Sequence, residues 1–246
     1  MDARLHLHLD SVSAFRHLRD GARTPETVAV GLLAELAGVD GLALRVDEAR
    51  REQLVRDIQL LRTGTQARLA LGLAPTADLV TTAFDLRPDR VTLVPDRGES
   101  SGILGGLDVH VLKDALKKHV NHLRDADVEV AVRVVPSLDQ VKALHRLDAR
   151  VVCLVAAGYV TARTPAERRM ELSRLQDAAV LARRLGLRVA VVGGLDLRAA
   201  EALAGVAAIE EFHVGHACVA RGILRGIERA VHDFRTAIER GRQRAV

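Results

Sequence analysis

Residues 128–155 read VEVAVRVVPSLDQVKALHRLDARVVCLV, and this stretch decides the fold. Val128–Val135 is a run rich in valine, and Pro136 and Ser137 punctuate its end. Leu138–Leu147 follows with Leu138, Val141 and Leu144 at helical spacing, and Val151–Val155 is a second apolar run. Short runs that are apolar on nearly every residue suit strands covered on both faces, as in parallel sheets. Two parallel strands need a crossover between them, and the intervening helix supplies it.

The same alternation extends in both directions. Downstream come a helix over Pro165–Leu185 ended by Gly186, a strand over Arg188–Val192 that runs into Gly193-Gly194, and a short helix near Leu197–Leu203. A strand over Phe212–Val214 then leads into Gly215-His216, and one long helix is expected over Ala217–Ile238. Upstream, strands are expected at Arg4–Leu9, Gly41–Val46, Ala67–Leu73 and Arg90–Leu93. The helices between them cover Glu26–Ala37, Asp47–Arg62, Ala77–Leu86 and, after a glycine-rich loop, Val109–Asp125. Eight strand–helix units in 246 residues predict an α/β protein with one (β/α)8 TIM barrel spanning residues 1–246. A doubly wound open sheet is the alternative.

Composition narrows the function. Aromatic residues make up 2% of the chain with no Trp, so the core must be built from Leu, Val, Ala and Ile, and a base-stacking surface for nucleic acid is not expected. The 36 basic and 32 acidic residues are interspersed, giving +4, which suits a phosphorylated small molecule better than a polyanion. Cys153 and Cys218 are too few for a disulfide framework. No apolar run reaches the roughly 18 residues of a membrane span, and the first residues lead straight into a strand. A cytoplasmic location is therefore expected.

Barrel chemistry sits at the C-terminal strand ends, and phosphates often bind after strands seven and eight. Gly193-Gly194 and Gly215-His216 occupy those turns, where glycine permits close backbone approach and the next helix offers N–H groups. Ordinary tight turns would also use glycine. Strand one places His6, His8 and Asp10 on one face. A His-x-His start also occurs in metal-dependent hydrolases, but only His213 and His216 are at hand as further ligands, so no metal or other cofactor is expected. Arg16 and Arg19 either reach a ligand over the mouth or form helical salt bridges. Cys153, in an apolar strand, reads as a small core residue.

Several segments carry a family resemblance in order and spacing. They are LHLD with the Arg-rich turn (Leu7–Arg19), AELAGVDGLALRVDEARR (Ala34–Arg51), LVPDR (Leu93–Arg97), GGLDV (Gly105–Val109), LGLRV (Leu185–Val189) and VGHACVARGI (Val214–Ile223). Together they resemble the pyridoxine 5′-phosphate synthase family. That family condenses 1-deoxy-D-xylulose 5-phosphate with 3-amino-2-oxopropyl phosphate through imine formation, enolisation and dehydration, steps that all move protons. The resemblance also implies a homo-oligomer, an octamer in the family.

The resemblance carries a conflict. The family's three proton carriers, His, Glu and His, align with Arg45, Gly72 and Gly193, and its strand-six Glu aligns with Cys153. Arg stays protonated and Gly has no side chain, so no catalytic residue is carried over at these positions. Gly194, Gly215 and His216 match the family's phosphate cradle, and Asp10 and Arg19 match its strand-one ligands. His8 stands where the family has Asn, and Ser11 where it has His. Asp47 and Glu52 fall where an Arg and a His hold the second phosphate, and Gly102 falls where a Thr stands. The resemblance thus implies a catalytically degenerate binder of a phosphorylated small molecule. Two alternatives are an active condensing enzyme with His8, Asp10, His213 and His216 as relocated acid–base groups, and a structural partner of an active paralogue.

Overall fold

The structure is a computed structural model that describes residues 3–16, 18, 24–46, 51–96 and 105–244. Eight strands form one closed barrel in sequence order: β1 (Arg4–His8), β2 (Gly41–Arg45), β3 (Arg68–Leu73), β4 (Arg90–Leu93), β5 (Glu129–Val134), β6 (Val151–Val155), β7 (Arg188–Val192) and β8 (Glu211–Val214). Every neighbouring pair is parallel, and β8 pairs back onto β1 with His6 beside His213. The closed ring excludes the open doubly wound alternative.

The helices are α1 (Asp10–Arg16), α2 (Thr27–Leu36), α3 (Arg51–Gly64), α4 (Ala77–Leu86), α5 (Lys113–Asp125), α6 (Leu138–His145), α7 (Ala157–Thr161), α8 (Pro165–Arg184), α9 (Leu197–Ala204), α10 (His216–Arg225) and α11 (Ile227–Gln243). Three features depart from the sequence reading. A short helix, α1, stands where an Arg-rich turn was expected, and α7 opens the connection after β6. The expected single C-terminal helix is two, because Gly226 takes φ +83°, a left-handed conformation that ends α10. No helix among the described residues is long and apolar enough to cross a membrane.

Strand alternation sorts the side chains into two layers. Leu5, Leu7, Leu42, Leu44, Leu69, Leu71, Val130, Val132, Val189 and Val191 pack outward in the main core with helix residues such as Ile58, Leu116, Leu175 and Phe234. The alternate residues face the barrel axis. On the β5–β7 side they form a small apolar cluster of Ala131, Val151, Cys153, Val155, Ala190 and Val192. On the β8–β1 side they are polar and buried: His6, Glu211 and His213.

Charged side chains close the N-terminal end of the barrel. Arg90 is bound to both Glu129 and Glu211, Arg4 lies 3.1 Å from Glu211, Arg68 lies 3.1 Å from Glu129, and Arg188 also pairs with Glu129. Buried carboxylates are tolerated only when paired in this way, and removing one partner would leave a costly naked charge. This charged end lies opposite the C-terminal mouth of the barrel.

Candidate functional site

At that mouth β1 delivers His8 and the first turn of α1 delivers Asp10. Asp10 Oδ1 accepts the backbone N–H of Arg45 at 2.6 Å, so the carboxylate is held against the end of β2. The Arg45 side chain points inward, is 9% exposed, and donates to the carbonyl of Pro95 beyond β4. Gly72 lies next to Arg45 in the β2–β3 register, and a Cβ there would meet no atom closer than 3.9 Å. Cys153 is buried, and burial pushes its thiol up to about 12, which makes it inert at neutral pH. That is the packed role expected for it.

The glycine turns after β7 and β8 have distinct causes. Gly193 and Gly194 take φ of +108° and +77°, conformations that L side chains rarely adopt. A Cβ on Gly193 would also lie 3.3 Å from the backbone nitrogens of Ala156 and Ala157. Gly215 does not have a positive φ, and its requirement is proximity: a Cβ there would lie 3.2 Å from Cβ of His8. Its carbonyl accepts the N–H groups of Cys218 and Val219 as α10 begins, and the N–H groups ahead of them have no acceptor within the helix. His216, the first residue of α10, is exposed. The turn after β8 therefore brings a helix N-terminus beside His8.

Below His8, polar groups continue down the axis. His8 Nε2 lies 3.0 Å from Nδ1 of His213, and His8 Nδ1 lies 3.5 Å from Oδ2 of Asp10. His213 Nε2 in turn is 3.6 Å from Oε2 of Glu211, which Arg90 grips with both terminal nitrogens. His6 stacks on His213 with ring centroids 4.6 Å apart, and its Nε2 is 3.8 Å from the same carboxylate oxygen. Gly41 makes room for the His6 ring, since a Cβ there would sit 2.3 Å from Nδ1.

Burial sets the charge of this column. Desolvation pushes His213 down to about 4, against the opposing pull of Glu211, and pushes His6 down as well, with His213 adding to the effect. For Glu211 burial acts to raise the carboxyl, but His213 and Arg90 outweigh it and hold it well below the usual range. Both inner imidazoles are thus neutral at pH 7 and the carboxylate is ionised. His6, Glu211 and His213 also have metal-ligand side chains, with donor atoms within 4.8 Å of one another. Arg90 and Arg4 already neutralise that carboxylate, leaving little negative charge for a divalent cation.

The sequence reading therefore has a mixed outcome. His8, Asp10 and His213 converge, and Gly215 adjoins them, whereas His6 is a packed residue below the mouth. Arg16 does not face a ligand: it is buried and bonded to Asp57 of α3 at 2.6 Å. Glu52 is exposed in the first turn of α3. Arg19, Asp47 and Gly102 lie outside the described residues. Two contributors were missed. Arg133 is buried among the inward residues of β5, next to Cys153 in register and near enough to Asp10 to feel its charge. Glu211 was missed because it begins β8, away from the end where barrel chemistry is sought. The signal for Arg133 was visible, as the one charged side chain inside the run VAVRVV.

Comparison with known proteins places this geometry. Solved structures with the same architecture include Mycobacterium tuberculosis tryptophan synthase, at TM-score 0.66 and 10% identity over 96% of this chain and 93% of that one. A 3-hexulose-6-phosphate synthase matches at TM-score 0.62 and 17% identity over 95% and 99%. Identities this low establish the fold alone. Sequence relatives go further. A protein of Syntrophotalea carbinolica named pyridoxine 5′-phosphate synthase is 36% identical over 236 residues, covering 96% of this chain and 98% of its own. One of the same name from Prochlorococcus marinus (strain MIT 9313) is 38% identical over 241 residues, covering 98% of each. The model of the family described as pyridoxal phosphate biosynthesis protein PdxJ matches residues 5–240, and the chain belongs to that family.

Proposed function

We propose that this barrel binds a phosphorylated small molecule at the turns after β7 and β8 and does not carry out the ring-closing condensation of its family. The observation that carries this reading is the backbone at Gly193. The family's histidine would have to stand at φ +108° and 3.3 Å from two backbone nitrogens. The missing acid is therefore built into the local chain path and is not an isolated substitution. Arg45 and Gly72 remove the other two proton carriers, and the Arg45 guanidinium is engaged with the chain after β4. Gly194, Gly215, His216 and Asp10, with Arg19, would hold the ligand. Titration with inorganic phosphate and with 1-deoxy-D-xylulose 5-phosphate, followed by thermal shift and calorimetry, tests the binding. Saturable stabilisation is expected, and its absence with both compounds contradicts the reading.

One observation favours a second reading. His8 and Asp10 meet at the mouth with His213 buried directly beneath His8, a convergence that a relocated acid–base set requires. In that reading the chain keeps a condensation of the family type, and turnover would depend on His8.

A further inference from the structure

The column Asp10–His8–His213–Glu211 runs from the barrel mouth to a buried carboxylate. We infer that Glu211 and His213 are positioning residues that decide which nitrogen of His8 exchanges protons at the barrel mouth. The inference rests on the mouth being the ligand site.

Glu211 is ionised and saturated by Arg90, and its Oε2 faces His213 Nε2 at 3.6 Å. In a dry interior a ring lone pair aimed at a carboxylate is strongly repelled, whereas an N–H aimed at it is attracted. The neutral His213 ring therefore carries its proton on Nε2. Its Nδ1 is then a bare acceptor. His8 Nε2, 3.0 Å away, must supply the N–H of that hydrogen bond. With Nε2 committed as a donor, Nδ1 is the nitrogen of His8 left to exchange a proton, and the Asp10 carboxylate facing it favours the protonated form of that atom. That atom lies 3.5 Å from Asp10 Oδ2, and both side chains are 28% exposed at the mouth. Asp10 is itself held by the Arg45 N–H, so the exchanging atom has a fixed partner.

The stacked His6 supports the same polarity. Its Nε2 is 3.8 Å from the same carboxylate oxygen, and Gly41 leaves the ring no room to shift toward β2. Two neutral rings thus turn N–H groups toward one buried anion. Secondary partners that set an imidazole tautomer are a recurrent device where a histidine must act with one nitrogen only.

The test is nitrogen NMR of 15N-histidine-labelled protein without ligand, with signals assigned from His8→Ala and His213→Leu. At neutral pH, His213 should show a protonated Nε2 and an unprotonated, hydrogen-bonded Nδ1, and His8 should show a protonated Nε2. A proton on Nδ1 of His213 overturns the inference. His213→Leu leaves the Glu211–Arg90 pair in place but removes the acceptor of His8 Nε2, so the proton of neutral His8 should move to Nδ1, which faces Asp10. An unchanged His8 pattern in that variant also overturns it. The readout needs no ligand, so it is separate from the proposed function: failure to bind phosphate with the expected tautomers would remove only the binding site.

Discussion

His8 Nε2 and His213 Nδ1 stand 3.0 Å apart where β1 meets β8, and this contact joins the barrel mouth to its charged base. Above it are Asp10 and the glycine turns. Below it are Glu211 and the arginines that close the N-terminal end. Scaffold and site therefore share one continuous polar column.

The column makes stability depend on pH. His213 titrates near 4 in the folded protein and near its ordinary 6.5 in the unfolded chain. Between those values the unfolded state binds a proton that the folded state refuses, so stability falls as pH drops from 6.5 toward 4. The contribution of this group is roughly 3 kcal/mol. His6 acts with the same sign, and Glu211 extends the loss below the usual carboxylate range. Melting curves from pH 7.5 to 4 should show a smaller decline for His213→Leu than for the parent; parallel declines would contradict this assignment.

Arg16 is a structural residue. Its guanidinium is buried against Asp57, joining α1 to α3. Arg16→Met should cost about 3 kcal/mol or more, because Asp57 would be left buried without its cation. Denaturant titration measures that loss, and phosphate affinity of the folded variant should not change. A weakened affinity at unchanged stability would place Arg16 at the ligand instead.

Gly72 and Gly193, which the family resemblance aligns with proton carriers, should respond differently to substitution. Gly72→Glu should fold with nearly parental stability, since its Cβ direction is open to 3.9 Å. Gly193→His should lose about 1–3 kcal/mol through its left-handed backbone. Paired thermal melts decide this, and equal stability of the two variants would remove the backbone argument.

Gly215 tests the cradle. A side chain there would place its Cβ 3.2 Å from Cβ of His8. Gly215→Val should reduce phosphate affinity at least tenfold without unfolding the barrel. Unchanged affinity in calorimetry would move the ligand elsewhere.

Much of this molecule was legible in its sequence, because runs such as VVCLV and the spacing of Leu138, Val141 and Leu144 report burial directly. All eight strands were placed within one residue at each end, and β4, β6 and β7 were matched at both. What escaped depends on local geometry. Gly226 breaks the last helix only because its φ is positive, and α1 forms from a sequence of mixed polarity, Asp10–Arg16. Around the site, the strand-one pattern pointed to His8 and Asp10. The partnership of His8 with His213 needed the β1–β8 closure, which brings together residues 205 positions apart. Glu211 and Arg133 were hidden for a similar reason, since their importance comes from what the closed barrel puts beside them.

The central claim is that the barrel binds without condensing. The most direct measurement incubates the protein at high concentration with 1-deoxy-D-xylulose 5-phosphate and 3-amino-2-oxopropyl phosphate, and follows pyridoxine 5′-phosphate by mass spectrometry. The account predicts no product above the enzyme-free control, from protein that the same phosphorylated compounds stabilise against heat. Product above that control, lost in His8→Ala, would contradict it and show that the proton carriers have moved to the β1–β8 side of the mouth.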